Sequence, residues 1–433
     1  MEALIVLLFI VGYAFIALEY RLHIDKAATA ILIGSLSWVF LYTLPLYWYG
    51  HVPKHTEEAL FYHLGEAAEV LFFLVGAMTI VEVVDSYSGF QFLLRILRAR
   101  TAEQFLGMIV LMTFFLSAVV GSFTTTLLMV ALLQKSTPEE ARSLRLVGAS
   151  LVVLAANAGG AWSPLGDITT TMLWIKGRIT EVSLVRRVFL PSLLAVLVPF
   201  IFLGRIFKGL PMHAEALQEN GEDIPRPFSL LVFIVGIGGI LMVPVLRVVF
   251  RVPPYLAMLL AMGLTWLVTE IFYRRLHRRV DEPLRLRAVS ALERIDTPSL
   301  LFFLGILLAV GALSETGVLR WTAQALEKTI GNLDLTAFLL GILSAIVDNV
   351  PLMAAAIEMY PLTQFPTDHQ LWEFLAYTVG VGGNILIIGS APGVIAMGME
   401  RIEFFWYLRR ISGLAFLGYA AGALVYILLT EVI

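Results

Sequence analysis

The stretch LFFLVGAMTIVEVVDSYSG at residues 71–89 is repeated in outline 230 positions later, as LFFLGILLAVGALSETG at residues 301–317. Three further pairs keep the same order and nearly the same spacing. They are SAVVGSFTTTLLM from Ser117 with SAIVDNVPLMAAA from Ser344, GGAWSPLGD from Gly159 with GGNILIIGS from Gly382, and FIVG at 9–12 with FIVG at 233–236. Because similarity at a fixed spacing indicates a duplicated unit, we predict two repeats, residues 1–208 and 229–433, joined by a polar linker at 209–228.

The composition is that of a membrane protein. Hydrophobic residues make up 59% of the 433 positions, charged residues only 15%, and the mean hydropathy is +0.86. Soluble domains are about 45–50% apolar and about 25% charged, which argues against a soluble enzyme. The net charge of −3 indicates no basic surface for nucleic acid. The chain has no cysteine, which excludes disulfides, thiolate metal sites and cysteine nucleophiles.

Twelve apolar segments divide evenly between the two repeats. They lie near residues 3–19, 27–48, 67–84, 104–134, 145–175, 184–204, 229–250, 254–273, 299–314, 335–360, 371–399 and 404–431. The segments 104–134 and 335–360 are too long for one span and too short for two, so each is predicted to be a re-entrant hairpin. Glycine and polar residues interrupt the spans 145–175 and 371–399. The predicted fold is therefore an all-α polytopic membrane protein with two inverted-topology repeats, each with five spans, one of them broken, and one hairpin.

The distribution of Lys and Arg predicts the orientation. If the first span runs inward, 21 of the 30 basic residues fall on the cytoplasmic side, where positive charge is enriched in membrane proteins. This predicts an inner-membrane protein with both termini outside, whose first hairpin opens to the cytoplasm and whose second opens to the exterior. The first apolar segment follows an acidic start and lacks a cleavage signature, so we interpret it as a retained span.

The hairpin tips and the broken spans are the predicted binding region, because non-helical chain at membrane depth must line protein or water. Their side chains offer the oxygen atoms that hard cations prefer. The predicted cation ligands are Asn157, Ser163 and Asp167 in the first broken span, Ser122, Thr124, Thr125 and Thr126 in the first hairpin, Asp348 and Asn349 in the second hairpin, and Asn384 and Ser390 in the second broken span.

Each of these predictions has a structural alternative. Asp167 and Asp348 precede helical runs, so either carboxylate could be an N-cap rather than a buried functional charge. The hydroxyls could bond to backbone or hold helices together. Glu82 and Asp85 could belong to a proton pathway or to a solvated helix end.

Further titratable groups are interpreted as solvated. Glu358 is placed at a solvated helix end. An acidic outer loop at 51–66, with pH sensing as the minor alternative, holds His51, His55, Glu57, Glu58, His63 and Glu66. The seven histidines are assigned to loops and span ends, with no metal site among them.

The stretch NAGGAWSPLGDITTTMLW at 157–174 resembles the NhaD-type sodium/proton antiporters of the ion transporter superfamily. Similar stretches are ALEYRLHIDKAATAIL at 17–32, LFFLVGAMTIVEVVD at 71–85, LSAIVDNVPLMAAA at 343–356 and IIGSAPGVIAMGME at 387–400. The resemblance covers nearly the whole chain and implies an alternating-access fold of the elevator type or a related type. It also implies exchange of cytoplasmic Na+ or Li+ for external H+. Carried over by position, the ion-site residues are Asn157, Ser163, Asp167, Asp348, Asn349, Ser390 and the threonines at 124–126.

One position departs from the family pattern. The first hairpin tip in the family reads Asp-Asn before its threonines, mirroring Asp348 and Asn349, whereas this chain has Gly121 and Ser122. One expected carboxylate is therefore missing, which bears on the number of protons exchanged.

The sequence thus predicts a secondary transporter in which Na+ or Li+ and H+ compete for carboxylates at the membrane midplane, with no cofactor. The alternative is a sodium-coupled symporter of a small anion on the same fold. Such a symporter needs a cationic pocket, and no Arg or Lys is assigned to mid-span positions. An enzyme is disfavoured because no catalytic constellation is present. The oligomeric state stays open, with a homodimer among the options.

Overall fold

The computed structural model describes residues 2–17, 25–49, 54–90, 99, 101–137, 141–210, 226–276 and 288–432. Across those ranges the chain forms nineteen helices and no β-strand. They are α1 (Glu2–Ala17), α2 (Lys26–Tyr49), α3 (Lys54–Ser86), α4 (Ala102–Val120), α5 (Ser122–Ser136), α6 (Arg142–Ala161), α7 (Ile168–Ile175), α8 (Glu181–Arg205), α9 (Arg226–Phe250), α10 (Pro254–Leu276), α11 (Ala288–Leu292), α12 (Thr297–Glu315), α13 (Val318–Ile330), α14 (Leu333–Leu343), α15 (Asn349–Met359), α16 (Gln370–Gly382), α17 (Ala391–Glu400), α18 (Phe404–Arg410) and α19 (Ser412–Val432). Most of the predicted linker, 211–225, lies outside the described residues.

Nine of the described helices are long and apolar enough to cross a membrane. These are α2, α3, α4, α6, α8, α9, α10, α12 and α19, and shorter apolar helices lie at 3–16, 122–134 and 333–343. The prediction of an all-α, multi-pass membrane protein is confirmed. The division into two repeats of opposite orientation, with the linker between them, stays a prediction.

Both hairpin segments consist of two helices. In the first, α4 and α5 are joined by Gly121 alone, whose φ of 97° lies in a region that other residues rarely adopt. In the second, α14 and α15 have 11 residues each, or about 16 Å, roughly half the apolar thickness of a bilayer. The helix α4 has 19 residues and is long enough to span, so re-entry of the first hairpin stays a prediction.

Both interrupted spans are broken. The first breaks between α6 and α7, and the second between α16 and α17. Each packs a glycine directly on the backbone of a hairpin. A Cβ atom at Gly159 would lie 2.2 Å from the carbonyl oxygen of Phe114, and one at Gly382 would lie 1.9 Å from that of Gly341. Only glycine permits this approach, so these residues hold each broken span against a hairpin.

The prediction of an outer loop at 51–66 is wrong for the residues from Lys54 onward, which the structure describes as helical. The helix α3 begins at Lys54 and continues for 33 residues without a proline. Glu57 lies in its first turn, where a negative charge stabilises the helix N-terminus. His63 and Glu66 are therefore helical and project toward neighbouring helices. The structure also adds α13, which no apolar segment predicted, and it divides the final segment into α18 and α19.

The helices pack in two groups. Group A consists of α1–α3 and α9–α12, and group B consists of α4–α8 and α14–α19; within each, most helices contact members of their own group. The two groups meet mainly where α12 lies against α15, α3 against α7 and α9 against α4. Polar residues at this boundary form the candidate site.

Candidate functional site

A cavity of about 890 Å³ opens between group A and group B. Group A contributes helices α2, α3 and the start of α12, while group B contributes the tips of both hairpins and both broken spans. Five of the predicted cation ligands line it: Ser122, Thr124, Asp167, Asp348 and Asn349. Segments far apart in sequence thus converge on one space.

Asp167 lies at the break of the first broken span, with only 8% of the residue exposed. It occupies the N-cap position of α7, yet its carboxylate makes no capping hydrogen bond. Instead it accepts hydrogen bonds from Ser122 Oγ at 3.0 Å, Thr169 Oγ1 at 2.5 Å and Asn349 Nδ2 at 3.4 Å. All three donors are neutral, so the carboxylate is held in place without a cationic partner among them.

Asp348 is the N-cap of a helix and also belongs to an ion pair. Its Oδ1 atom accepts a hydrogen bond from the backbone N–H of Val350 at 3.2 Å and so caps α15. Its Oδ2 atom lies 3.4 Å from Lys26 Nζ. Asn349 follows directly and extends its amide to Asp167. The second hairpin tip therefore connects a charged pair to the buried carboxylate.

Lys26 brings a basic residue to the site from the start of a helix, although no Arg or Lys was assigned to a mid-span position. It is the first residue of α2 and lies 322 residues from Asp348 in the sequence, yet it lines the same cavity. Asp296, the N-cap of α12, is a third carboxylate in the cavity wall. Neither was predicted. For Asp296 the capping position ahead of an apolar run is a usable signal, whereas nothing local marks Lys26.

The hydroxyls of the first hairpin have different environments. Ser122 donates to Asp167, and Thr124 lines the cavity. Thr126 donates to the backbone oxygen of Ser122 at 2.8 Å, as helical threonines commonly do. Thr125 is fully buried and its hydroxyl has no hydrogen-bond partner among the described residues. Only two of the four hydroxyls therefore face the cavity.

The remaining predicted ligands join the two broken spans behind the cavity. Asn157 Nδ2 donates to Asn384 Oδ1 at 2.8 Å and to Ser390 Oγ at 2.7 Å. Ser390 also caps α17 through the N–H of Gly393. Ser163 Oγ donates to the backbone oxygen of Ala118, on the first hairpin. These contacts fix the broken spans against each other and against the hairpin.

Glu82 and Asp85 do not line the cavity. Glu82 Oε1 lies 3.0 Å from Arg294 Nε near the end of α3, and Asp85 is exposed. Their role in a proton pathway stays a prediction.

A second polar cluster lies at the opposite ends of the helices that form the cavity. It is made by His63, Glu66, Lys176, Glu315 and Glu358, and we call it the far-side cluster. His63 Nε2 lies 3.2 Å from Glu315 Oε1, Lys176 Nζ bonds to Glu66, and Lys176 Nζ lies 4.0 Å from Glu358 Oε1. His63 is buried and Glu358 is half-buried, which corrects their assignment to solvated positions.

Three of these residues also bring possible metal ligands together. One atom each of His63, Glu66 and Glu358 lies within 4.8 Å of the others. The sequence did not predict this grouping around His63, and the absence of a metal site among the histidines stays a prediction. However, the Lys176 ammonium already lies between the two carboxylates, and the cluster is best described as a network of ion pairs.

Comparison with known proteins identifies the family. A family described as citrate transporter, CitMHS, matches residues 6–382. Sodium/proton antiporter 2 of Arabidopsis thaliana is 39% identical over 97% of this chain and 98% of its own length. The Na(+)/H(+) antiporters NhaD of Alkalimonas amylolytica and Vibrio cholerae are each 30% identical, over 97% and 98% of this chain and 89% and 91% of their own lengths. The chain belongs to the CitMHS transporter family and groups with the NhaD-type antiporters.

Membership of the CitMHS family confirms the resemblance seen in the sequence and the prediction of a transporter rather than an enzyme. In this NhaD-type chain, the stretch 157–174 on which the resemblance rests contains Asp167, which is the most buried of the cavity carboxylates. Gly121, where the resemblance leads us to expect a carboxylate, also lines the cavity. The carboxylates in the described wall of the cavity are those of Asp167, Asp348 and Asp296.

Proposed function

We propose that this protein exchanges Na+ or Li+ for H+, with Asp167 as the group at which the two ions compete. The observation that carries the proposal is a buried carboxylate held by three neutral donors in the wall of an open cavity. A buried carboxylate without a cationic partner is costly unless a proton or a bound cation neutralises it. One carboxylate cannot hold both at once, so the arrival of one ion releases the other.

The available oxygens suit a small monovalent cation. Besides Asp167, the cavity offers the hydroxyls of Ser122 and Thr124 and the side-chain oxygen of Asn349. Hard cations prefer such oxygen ligands. The relatives named as sodium/proton antiporters support the same assignment.

The description of the family as citrate transporters raises the alternative of anion transport. The cavity charges argue against it. Its described lining contains three carboxylates and the single basic residue Lys26, which is paired with Asp348. A tricarboxylate would meet repulsion from Asp167 and Asp296 without a free cationic partner.

Alternating access is the proposed mode of transport, and the arrangement of three helices supports it. The N-terminal ends of α7, α12 and α15 carry Asp167, Asp296 and Asp348 at the cavity, and their C-terminal ends carry Lys176, Glu315 and Glu358 in the far-side cluster. Between the two ends lie apolar side chains, among them Met172, Val310 and Ile357. The cavity would be the open end of one transport pathway, and the far-side cluster would be the closed gate at its other end.

The distribution of Lys and Arg in the sequence supports one orientation of the cavity in the membrane. Lys26 and Arg294 belong to the side predicted to be cytoplasmic. We therefore propose that the cavity opens to the cytoplasm of an inner-membrane protein and that the far-side cluster faces outward. Na+ would enter from the cytoplasm and H+ from the exterior.

The proposed function is tested in everted vesicles by dequenching of a pH-sensitive dye. Addition of Na+ or Li+ to vesicles with an established pH gradient should move protons, whereas K+ and citrate should not. Proton movement on citrate addition, or none on Na+ addition, would refute the proposal.

The cavity-facing hydroxyls should contribute to cation affinity. We expect Ser122→Ala and Thr124→Val to weaken the apparent affinity for Na+ several-fold, because each removes an oxygen beside Asp167. Thr124→Ser keeps the oxygen and should be mild. Thr126→Val is the matched control, because that hydroxyl bonds to its own helix. If Thr126→Val weakens the affinity as much as Thr124→Val, these hydroxyls act through packing rather than ligation.

The far-side cluster should restrict access from the outside. Lys176→Met removes the ammonium that joins Glu66 and Glu358 across the two groups, so we expect the outward-open state to become more populated. Because the chain has no cysteine, Ala77→Cys in the cavity wall provides a single labelling site. A membrane-impermeant thiol reagent added outside should label it several-fold faster in the Lys176→Met background. Lys328→Met, an exposed lysine on α13, is the control, and equal labelling in both backgrounds would contradict a gate.

A further inference from the structure

The cavity between the two helix groups is far larger than a single Na+ requires. Its volume of about 890 Å³ lies within the range of about 300–1,000 Å³ that is typical of sites for drug-sized molecules. A hard cation contacts only a few oxygen atoms, which lie about 2–3 Å from its centre. The oxygens around Asp167 therefore account for one end of the cavity and leave most of its volume without an occupant.

One wall of the remaining volume is apolar and belongs to group A. On α3, the side chains of Phe73, Leu74, Ala77 and Met78 line the cavity together, because residues three and four positions apart share one face of a helix. The helix α12, which packs against α3, adds Phe303 to this wall. The apolar surface borders open space, so an apolar body that covers it gains hydrophobic free energy.

Group B adds further apolar side chains beside the polar residues of the site. Phe123 lines the cavity between Ser122 and Thr124 in the first hairpin, and Val350 lines it next to Asn349 in the second. A molecule that fills the cavity therefore contacts both helix groups at once.

The charges of the lining select the sign of such a molecule. Asp167 is held by neutral donors, and Asp296 accepts hydrogen bonds from the backbone N–H and the hydroxyl of Ser299. Asp348 lies beside Lys26, which is the single basic residue of the described lining. Three carboxylates and one ammonium leave an excess of negative charge, which attracts a cation and repels an anion.

We propose that the cavity is a binding site for amphipathic organic cations, in which one ammonium or amidinium group is attached to an apolar aryl or alkyl body. The headgroup takes the place of Na+ at Asp167, where a charged donor binds a carboxylate more strongly than a neutral donor does. The body covers the wall formed by α3 and Phe303. This inference rests on the proposed function, because it places the headgroup at the carboxylate proposed to hold Na+.

Such a molecule blocks exchange and is not itself carried. The walls of the cavity belong to both helix groups, and closure of the cavity during alternating access requires those walls to approach each other. Na+ is small enough to stay enclosed between them, whereas an aryl body on the wall of α3 keeps them apart. The organic cation therefore competes with Na+ and holds the cavity open.

Phenylbutylammonium tests the inference with the purified full chain in lipid nanodiscs. Calorimetry should detect its binding, and Na+ should raise its apparent Kd in proportion to the Na+ concentration, as expected for one shared site. Phenylbutanol has the same body without the charge and should bind at least about tenfold more weakly. Phenylbutyrate has the opposite charge and should not bind.

A flux measurement gives a second readout. In proteoliposomes, phenylbutylammonium should stop the exchange of radioactive for unlabelled Na+. Equal pH on both sides of the membrane avoids any effect of the amine on a pH gradient.

Two substitutions in the apolar wall separate the body from the headgroup. Ala77→Phe fills part of the cavity from α3, and Phe303→Leu, which is included in case Ala77→Phe does not fold, removes a ring from α12. Each should weaken the binding of phenylbutylammonium several-fold and leave the affinity for Na+ unchanged, because neither residue supplies an oxygen to the ion. Ala14→Phe, on an exposed face of α1, is the matched control for the added ring.

The outcomes separate the two proposals. If the unmodified protein moves no protons when Na+ is added, the proposed function fails, whereas displacement of phenylbutylammonium by Na+ and weaker binding to Ala77→Phe would still support the inference. If Na+ is exchanged for H+ but phenylbutylammonium does not bind, or binds without competing with Na+, the inference alone is overturned. Equal binding of phenylbutanol, which indicates an apolar site only, or unchanged binding to both wall variants also overturns it.

Discussion

Asp167→Asn is expected to reduce cation-driven proton movement to the level of vesicles without the protein. Asn keeps the shape of the side chain and one oxygen but cannot exchange a proton for Na+. Its amide would also face Asn349 Nδ2 and the hydroxyls of Ser122 and Thr169, which now donate to the carboxylate. Both the exchange and the cation affinity should therefore be lost. The measurement is dye dequenching in everted vesicles together with binding of Na+ or Li+ to the purified protein by calorimetry.

The folded state should survive this change. Asp167 is the N-cap residue of α7, and Asn is nearly as good an N-cap as Asp, so α7 should keep its start. Thermal unfolding in detergent should show a similar midpoint for Asp167→Asn and for the unmodified protein. Glu403→Gln, an exposed carboxylate outside the cavity, is the control for removing a negative charge. Normal exchange by Asp167→Asn would remove this residue from the ion site.

Asp348→Asn should weaken the apparent affinity for Na+ by at least about tenfold. The change leaves the Lys26 ammonium without its carboxylate at the cavity wall, where it would repel an entering cation. About 1.4 kcal/mol of repulsion is sufficient for a tenfold loss, and charges a few ångströms apart near a protein surface interact more strongly than this. The measurement is the Na+ dependence of the initial exchange rate.

Combining Asp348→Asn with Lys26→Met should restore much of the lost affinity, because the double variant removes both charges. Asn is nearly as good an N-cap as Asp, so α15 should keep its start, whereas Asp348→Ala should cost about 1 kcal/mol of stability. An Asp348→Asn variant with unchanged affinity, or a double variant as weak as the single one, would show that the ammonium does not act on the entering ion.

Much of the architecture was predictable because its causes are local in the chain. Apolar length predicted the spans, and the glycine and polar clusters predicted the breaks at 162–167 and 383–390. Asp167, Asp348 and Asn349 stood out as polar groups in apolar surroundings, where a charge is expensive, and all three line the cavity. The beginning of α3 was predicted wrongly because a charged, proline-free segment resembles a loop in hydropathy although it is a helix.

The contacts of the site depend on information that no local pattern contains. Which of the hydroxyls at 122–126 faces the cavity is decided by the rotation of α5 against the first broken span, since all lie on the same short run of chain. In the sequence, Lys26 resembles a lysine at the membrane surface. Only the packing of α2 and α12 against the second hairpin brings it to Asp348. His63 and Glu358 likewise resemble solvated end residues until neighbouring helices bury them.

The amino-acid sequence is sufficient to establish the membrane fold, its broken helices and the carboxylates at the first break and at the second hairpin tip, because transfer into lipid and backbone hydrogen bonding depend on residues adjacent in the chain. The pairing of charges is a different kind of property. Whether Asp167 faces neutral donors and Asp348 a lysine depends on distances of 3 to 4 Å between segments hundreds of residues apart. Those distances are set only when the two groups of helices pack together. The interaction energy of two charges depends on their separation in space, and positions in the sequence do not give that separation.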